Sequence, residues 1–191
     1  MNETTKIDSK SLILCMIGLS DNEIKGELGG ITRLQKLLFL LEKEAGIKSS
    51  GDAFHFEAYK AGPYSPKLYD DLEFLENLGF LKSEEIGEST TEEAAELDAL
   101  NFDDLIGDSD EPRGTADTYI ERSFALTEQG RKKIEALLQN DTYKPFVEGI
   151  RKIKSKFGNY SLNDLLYYVY TKYPEMTTNS EIKDKVLGRG R

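Results

Sequence analysis

The side chains best equipped for chemistry in this chain are one thiol, one imidazole and a surplus of carboxylates. They are Cys15, His55, and 35 Asp and Glu against 25 Lys and Arg in 191 residues. A nucleophilic cysteine needs a base or a cation beside it to hold the thiolate. Cys15 instead falls among Leu12, Ile13, Met16 and Ile17 and reads as a small apolar core residue. His55 alternates with Phe54 and Phe56, which suits an outward or edge position of a strand. A structural zinc site needs clustered Cys and His, which one of each cannot supply. No glycine-rich loop followed by Lys and Ser or Thr occurs, and Gly29-Gly30 before a helix is too short a signal to stand for one. The carboxylates run through exposed segments, without the apolar surroundings that raise a pKa for proton transfer. These residues predict no catalysis, no metal and no cofactor. What remains is recognition by charge and by phenols.

The net charge of −10 is unevenly distributed. Between Glu84 and Glu111 stand twelve acidic residues and no Lys or Arg, so the rest of the chain has a slight positive balance. Two uses of this segment stay open: a solubilising insertion, or an acidic surface spaced with Leu97, Leu100, Phe102, Leu105 and Ile106 that mimics nucleic acid or binds a basic partner. Basic residues gather later, at Arg131, Lys132, Lys133, Lys144, Arg151, Lys152, Lys154 and Lys156, against Glu135, Asp141 and Glu148. They could meet nucleic-acid phosphates, or face the acidic segment of their own or a partner subunit.

The elements that must position these groups follow from apolar spacing. Asp8 or Ser9 opens a helix carrying Leu12, Ile13, Met16 and Ile17, and a loop spans Ser20 to Gly30. A second helix starts near Ile31 with Ile31, Leu34, Leu37, Leu38, Leu41 and Ala45 inward. Phe39 and Leu40 widen its apolar side, which suits burial between two layers or a contact between two copies of the chain. Arg33, Gln35 and Lys36 lie on its first two turns, either as a solvated face or as ligands for a phosphate or an acidic partner. Phe54, Phe56 and Ala58 then alternate as in a strand. Gly62-Pro63-Tyr64-Ser65 reads as a turn, with Ser65 capping a helix whose first residue is Pro66. Tyr59, Tyr64 and Tyr69 cluster around it. In that helix Leu68, Leu72, Leu75 and Leu78 face the core, and Gly79 ends it.

Downstream, Thr127 caps a helix bearing Ile134, Leu137 and Leu138, and Phe146, Ile150, Ile153 and Phe157 mark another from about Lys144. Ser161-Leu-Asn-Asp164 is a capping-box-like start for the last helix, with Leu162, Leu165, Leu166, Val169 and Tyr173 inward. Tyr167, Tyr168 and Tyr170 widen its apolar stripe, as at an interface. No apolar run is long enough to span a membrane, and the opening MNETTKIDSK lacks the basic-then-apolar pattern of a secretion signal. A soluble cytoplasmic protein is the expectation, with homodimerisation through the apolar second helix and the tyrosines.

The order of these pieces carries a resemblance. A helix ending Leu78-Gly79-Phe80-Leu81, a strand pair, and the helix start Ala125-Leu-Thr-Glu-Gln-Gly-Arg131 resemble the third helix and wing of a winged helix-turn-helix domain. Ile31-Thr-Arg-Leu-Gln-Lys-Leu-Leu-Phe-Leu-Leu41 and Tyr59-Lys-Ala-Gly-Pro-Tyr-Ser-Pro66 make the region similar to the YwgA-like and SocA/Panacea antitoxin-related group of small prokaryotic proteins. The resemblance implies a winged-helix-like fold and, for the antitoxin branch, binding and neutralisation of another protein. It implies no catalytic residues.

The expected fold is therefore mainly α with a small β-sheet: a winged helix-turn-helix-like domain over 8–140, with an acidic insertion in the wing at 83–117. A C-terminal helical extension over 141–175 packs on the same core, and 176–191 forms a flexible tail. The polar side of the third helix carries Lys67, Asp70, Asp71, Glu73, Glu76 and Asn77, mostly carboxylates, which repel the phosphates a groove-reading helix must approach. The first function expected is a non-catalytic regulatory or antitoxin-like protein that binds a protein partner, with Tyr64, Lys67, Asp70, Asp71, Glu73, Tyr167 and Tyr168 as contact residues. The alternative is a winged-helix transcriptional regulator that holds DNA on a basic C-terminal face, through Arg33, Lys36, Arg131, Lys132, Lys133, Arg151, Lys152 and Lys154.

Overall fold

The computed structural model describes residues 7–20, 23–24, 26–47, 54–85 and 122–188. It is mainly helical with a small antiparallel sheet. The chain opens with α1 (Ser9–Gly18), strand β1 (Glu27–Gly29) and α2 (Ile31–Glu44). A hairpin of β2 (Glu57–Tyr59) and β3 (Gly62–Tyr64) leads into α3 (Lys67–Asn77), followed by β4 (Leu81–Glu85) and β5 (Arg122–Leu126). Three helices then follow, α4 (Glu128–Gln139), α5 (Lys144–Phe157) and α6 (Leu162–Lys172), before the short C-terminal α7 (Lys183–Gly188).

Helices α1 and α2 form the centre. Asp8 caps α1 by accepting from the Ser11 amide at 2.9 Å, and nearly every residue of α1 is buried. On α2 the second apolar side turns inward as fully as the first. Phe39 is packed edge-on against Phe56 and Tyr173, at 5.5 and 5.1 Å between ring centroids, so this face is covered within the chain itself. A helix apolar all round must lie between layers.

One sheet has the order β1-β5-β4, all antiparallel; Leu28 lies opposite Phe124 and Leu81 opposite Leu126. The loop expected from Ser20 to Gly30 thus contains β1, whose three residues are too few to show a period. Residues 83–85 of the expected acidic insertion belong to β4, and 86–121 lie outside the described residues.

Two local expectations change. Gly62-Pro63-Tyr64 is not the turn but strand β3, paired with β2 around a tight turn at Lys60 and Ala61. Nor does Ser65 cap α3: its hydroxyl donates to the Phe54 carbonyl instead. At the other end Gly79 (φ 72°) does stop α3. Its N–H reaches the Glu76 carbonyl at 2.8 Å and the Phe80 N–H reaches that of Leu75 at 2.9 Å, the paired closure that a left-handed glycine permits.

The segment after α6 is tied down, contrary to the expected flexible tail. Thr177 and Val186 are buried, the Glu181 N–H donates to the Lys60 carbonyl at 2.9 Å, and Asn179 Nδ2 donates to the Ala58 carbonyl at 3.0 Å. Two of the segment's hydrogen bonds thus go to backbone carbonyls of the β2–β3 hairpin. Residues 189–191 lie outside the described residues.

Candidate functional site

Leu68, Leu72 and Leu75 fix the roll of α3 by entering the core. That roll leaves Asp70 and Glu73 exposed, together with two large apolar side chains, Phe74 at 47% and Leu78 at 49% exposure. The inward orientation expected of Leu78 is therefore corrected. At about 100° per residue, Leu78 and Phe74 fall roughly 80° and 120° round the helix from Leu68, off the core stripe and beside each other. Lys10 lies over the Phe74 ring at 5.0 Å, and Asn77 completes the polar border. The face is an apolar pair bordered by Asp70, Glu73, Asn77 and the Lys10 ammonium.

Asp71 leaves the set of surface contacts. It is buried and binds Lys10 at 2.8 Å, Ser9 Oγ at 2.6 Å and Lys67 at 3.2 Å, so it ties α1 to α3. Burial alone would raise the Asp71 carboxyl, but the hydrogen bonds from Lys10, Ser9 and Lys67 outweigh it and hold the group below its ordinary value. Lys67 is thus partly committed within the fold.

Tyr64 is also internal, at 6% exposure. Its ring stacks between Tyr59 (4.7 Å) and Tyr69 (5.9 Å), and burial, then Glu57 and Asp70, raise its phenol pKa. Beneath this stack Lys36 donates from Nζ to the Pro63 carbonyl at 2.9 Å, and Gln35 Oε1 accepts from the Ser65 amide at 2.8 Å. Both side chains are fully out of solvent, so neither the solvated-face nor the phosphate-ligand expectation for Lys36 holds. Gln35 Nε2 and Tyr59 Oη are buried with no hydrogen-bond partner among the described residues.

A second group forms where α2, α5 and α6 meet. The Glu44 carboxylate accepts from Tyr168 Oη at 2.6 Å, Tyr173 Oη at 3.0 Å and Lys156 Nζ at 3.1 Å. Burial would raise the Glu44 carboxyl, yet those three donors together bring it below its ordinary value. Tyr168 is therefore partly an internal strut. Tyr167, one residue earlier, is 42% exposed and borders an open cleft of about 510 Å³ between the α5–α6 turn and α6.

The basic residues do not form one free face. Arg33 donates to the Tyr160 carbonyl at 2.8 Å, and Arg131 to that of Ile24 at 2.7 Å. Lys154 reaches the Met16 carbonyl at 2.9 Å and that of Ile17 at 3.3 Å, closing the C-terminal end of α1. Arg151 is half-buried; its Nε is out of solvent and makes no hydrogen bond among the described residues. Lys132 pairs with Glu128 at 2.7 Å on the surface, and Lys133 and Lys152 are exposed.

Cys15 is buried, and burial, reinforced by Asp8, pushes its thiol up to about 12, so it is a thiol and not a thiolate near neutrality. His55 is exposed with φ 49°. Among the described residues no helix is long and apolar enough to cross a membrane, and no group of three or more His, Cys, Asp or Glu is placed to hold a metal ion.

Sequence reasoning missed the exposure of Phe74 and the hub at Glu44. Phe74 could have been found from its angular distance to the Leu68–Leu72–Leu75 stripe. Glu44 left no signal, since its partners are more than a hundred residues away. A comparison with protein-family models and with curated proteins finds no match for this chain.

Proposed function

We propose that this protein is a non-catalytic, regulatory or antitoxin-like protein, acting in the cytoplasm, that docks a protein partner through the outward face of α3. The connectivity α1-β1-α2-α3-β4-β5 with sheet order β1-β5-β4 supports a winged-helix-like scaffold, in which α3 takes the place of the third helix. The observation that carries the reading is the half-exposed pair Phe74 and Leu78 beside the exposed Asp70 and Glu73. An apolar centre with a charged rim is the anatomy of a protein interface, and this rim carries both signs, with Asp70 and Glu73 exposed and Lys10 over the Phe74 ring.

The alternative is DNA binding through the residual cations Lys132, Lys133 and Lys152. It has less support, because Arg33, Lys36, Arg131 and Lys154 each donate to a backbone carbonyl of the fold. Fluorescence anisotropy of a labelled random-sequence duplex, at low and physiological salt, separates the readings. The proposal expects no binding at physiological salt by wild type or by Asp70→Asn/Glu73→Gln. Tight binding there by either protein overturns it.

A further inference from the structure

We draw no further inference here: the strongest candidate, the open cleft between the α5–α6 turn and α6 that Tyr160, Tyr167 and Lys172 line, carries nothing, because Asp164 already accepts from Ser161 Oγ at 2.6 Å, Tyr160 is packed edge-on against Phe157, and nothing in the structure shows what covers the exposed face that is left.

Discussion

Lys36 and Pro63 are joined by a hydrogen bond of 2.9 Å, ammonium to carbonyl, where the lysine is entirely out of solvent. Next to it Gln35 holds the Ser65 amide, so two successive polar residues of α2 grip the strand that leads into α3. This grip fixes the backbone at the entry to α3, whose roll is set by Leu68, Leu72 and Leu75.

Lys36→Ala is therefore expected to destabilise the fold by roughly 2–4 kcal/mol, through a lost buried stem and an orphaned carbonyl. Urea denaturation monitored by circular dichroism measures it. A solvated or phosphate-binding lysine would instead change stability by no more than about 0.5 kcal/mol.

Gly130, in the first turn of α4, lies against the Phe80 carbonyl and Leu126. A Cβ there would stand 2.1 Å from the Phe80 carbonyl oxygen and 3.1 Å from Leu126 Cδ2. Neither the backbone nor the sheet can give way cheaply, so Gly130→Ala should cost about 1–3 kcal/mol and lower the melting temperature. Gly188→Ala, with nothing within 4 Å, is the matched control and should be near neutral.

The pairing of Asp71 makes stability depend on pH. Its carboxyl is held below its ordinary value of 3.8, so the unfolded chain takes up the proton first as the pH falls. The contribution is fully present above that ordinary value and is lost as the pH drops through the lower folded value. Glu44 adds a loss of the same sign from its ordinary value of 4.5. Asp71→Asn should flatten the acid limb of a stability–pH curve measured by urea denaturation.

Most of the frame could be read before any coordinates, for a physical reason. Caps and stops act over a few residues, so Asp8, Thr127, Ser161 and Gly79 announce themselves locally and are seen in those roles. What was not legible depended on long-range pairing. Asp71 stands three residues after Leu68 and four before Leu75, on the core stripe, yet a carboxylate there is credible only once Lys10 and Ser9 are known to meet it. Lys36 precedes Phe39 and Leu40 by three and four residues and so shares their buried side. Its partner is a carbonyl 27 residues away, which no periodicity reveals.

On the basic surface two kinds of lysine should separate. Lys154→Met removes donors to the Met16 and Ile17 carbonyls and should cost about 1–2 kcal/mol. Lys133→Gln and Lys152→Gln, both on exposed positions, should each stay within about 0.5 kcal/mol of wild type. Thermal denaturation of the three variants under one buffer condition makes the comparison.

The central claim is that α3 docks a protein through Phe74 and Leu78. Its most direct test immobilises wild type and the Phe74→Ser/Leu78→Ser variant, incubates both with nuclease-treated native lysate, and quantifies retained proteins by mass spectrometry. The account predicts a protein that wild type retains despite the nuclease and that the variant loses at least tenfold. Identical retention by the two proteins, or retention seen only when nucleic acid is left intact, would contradict it.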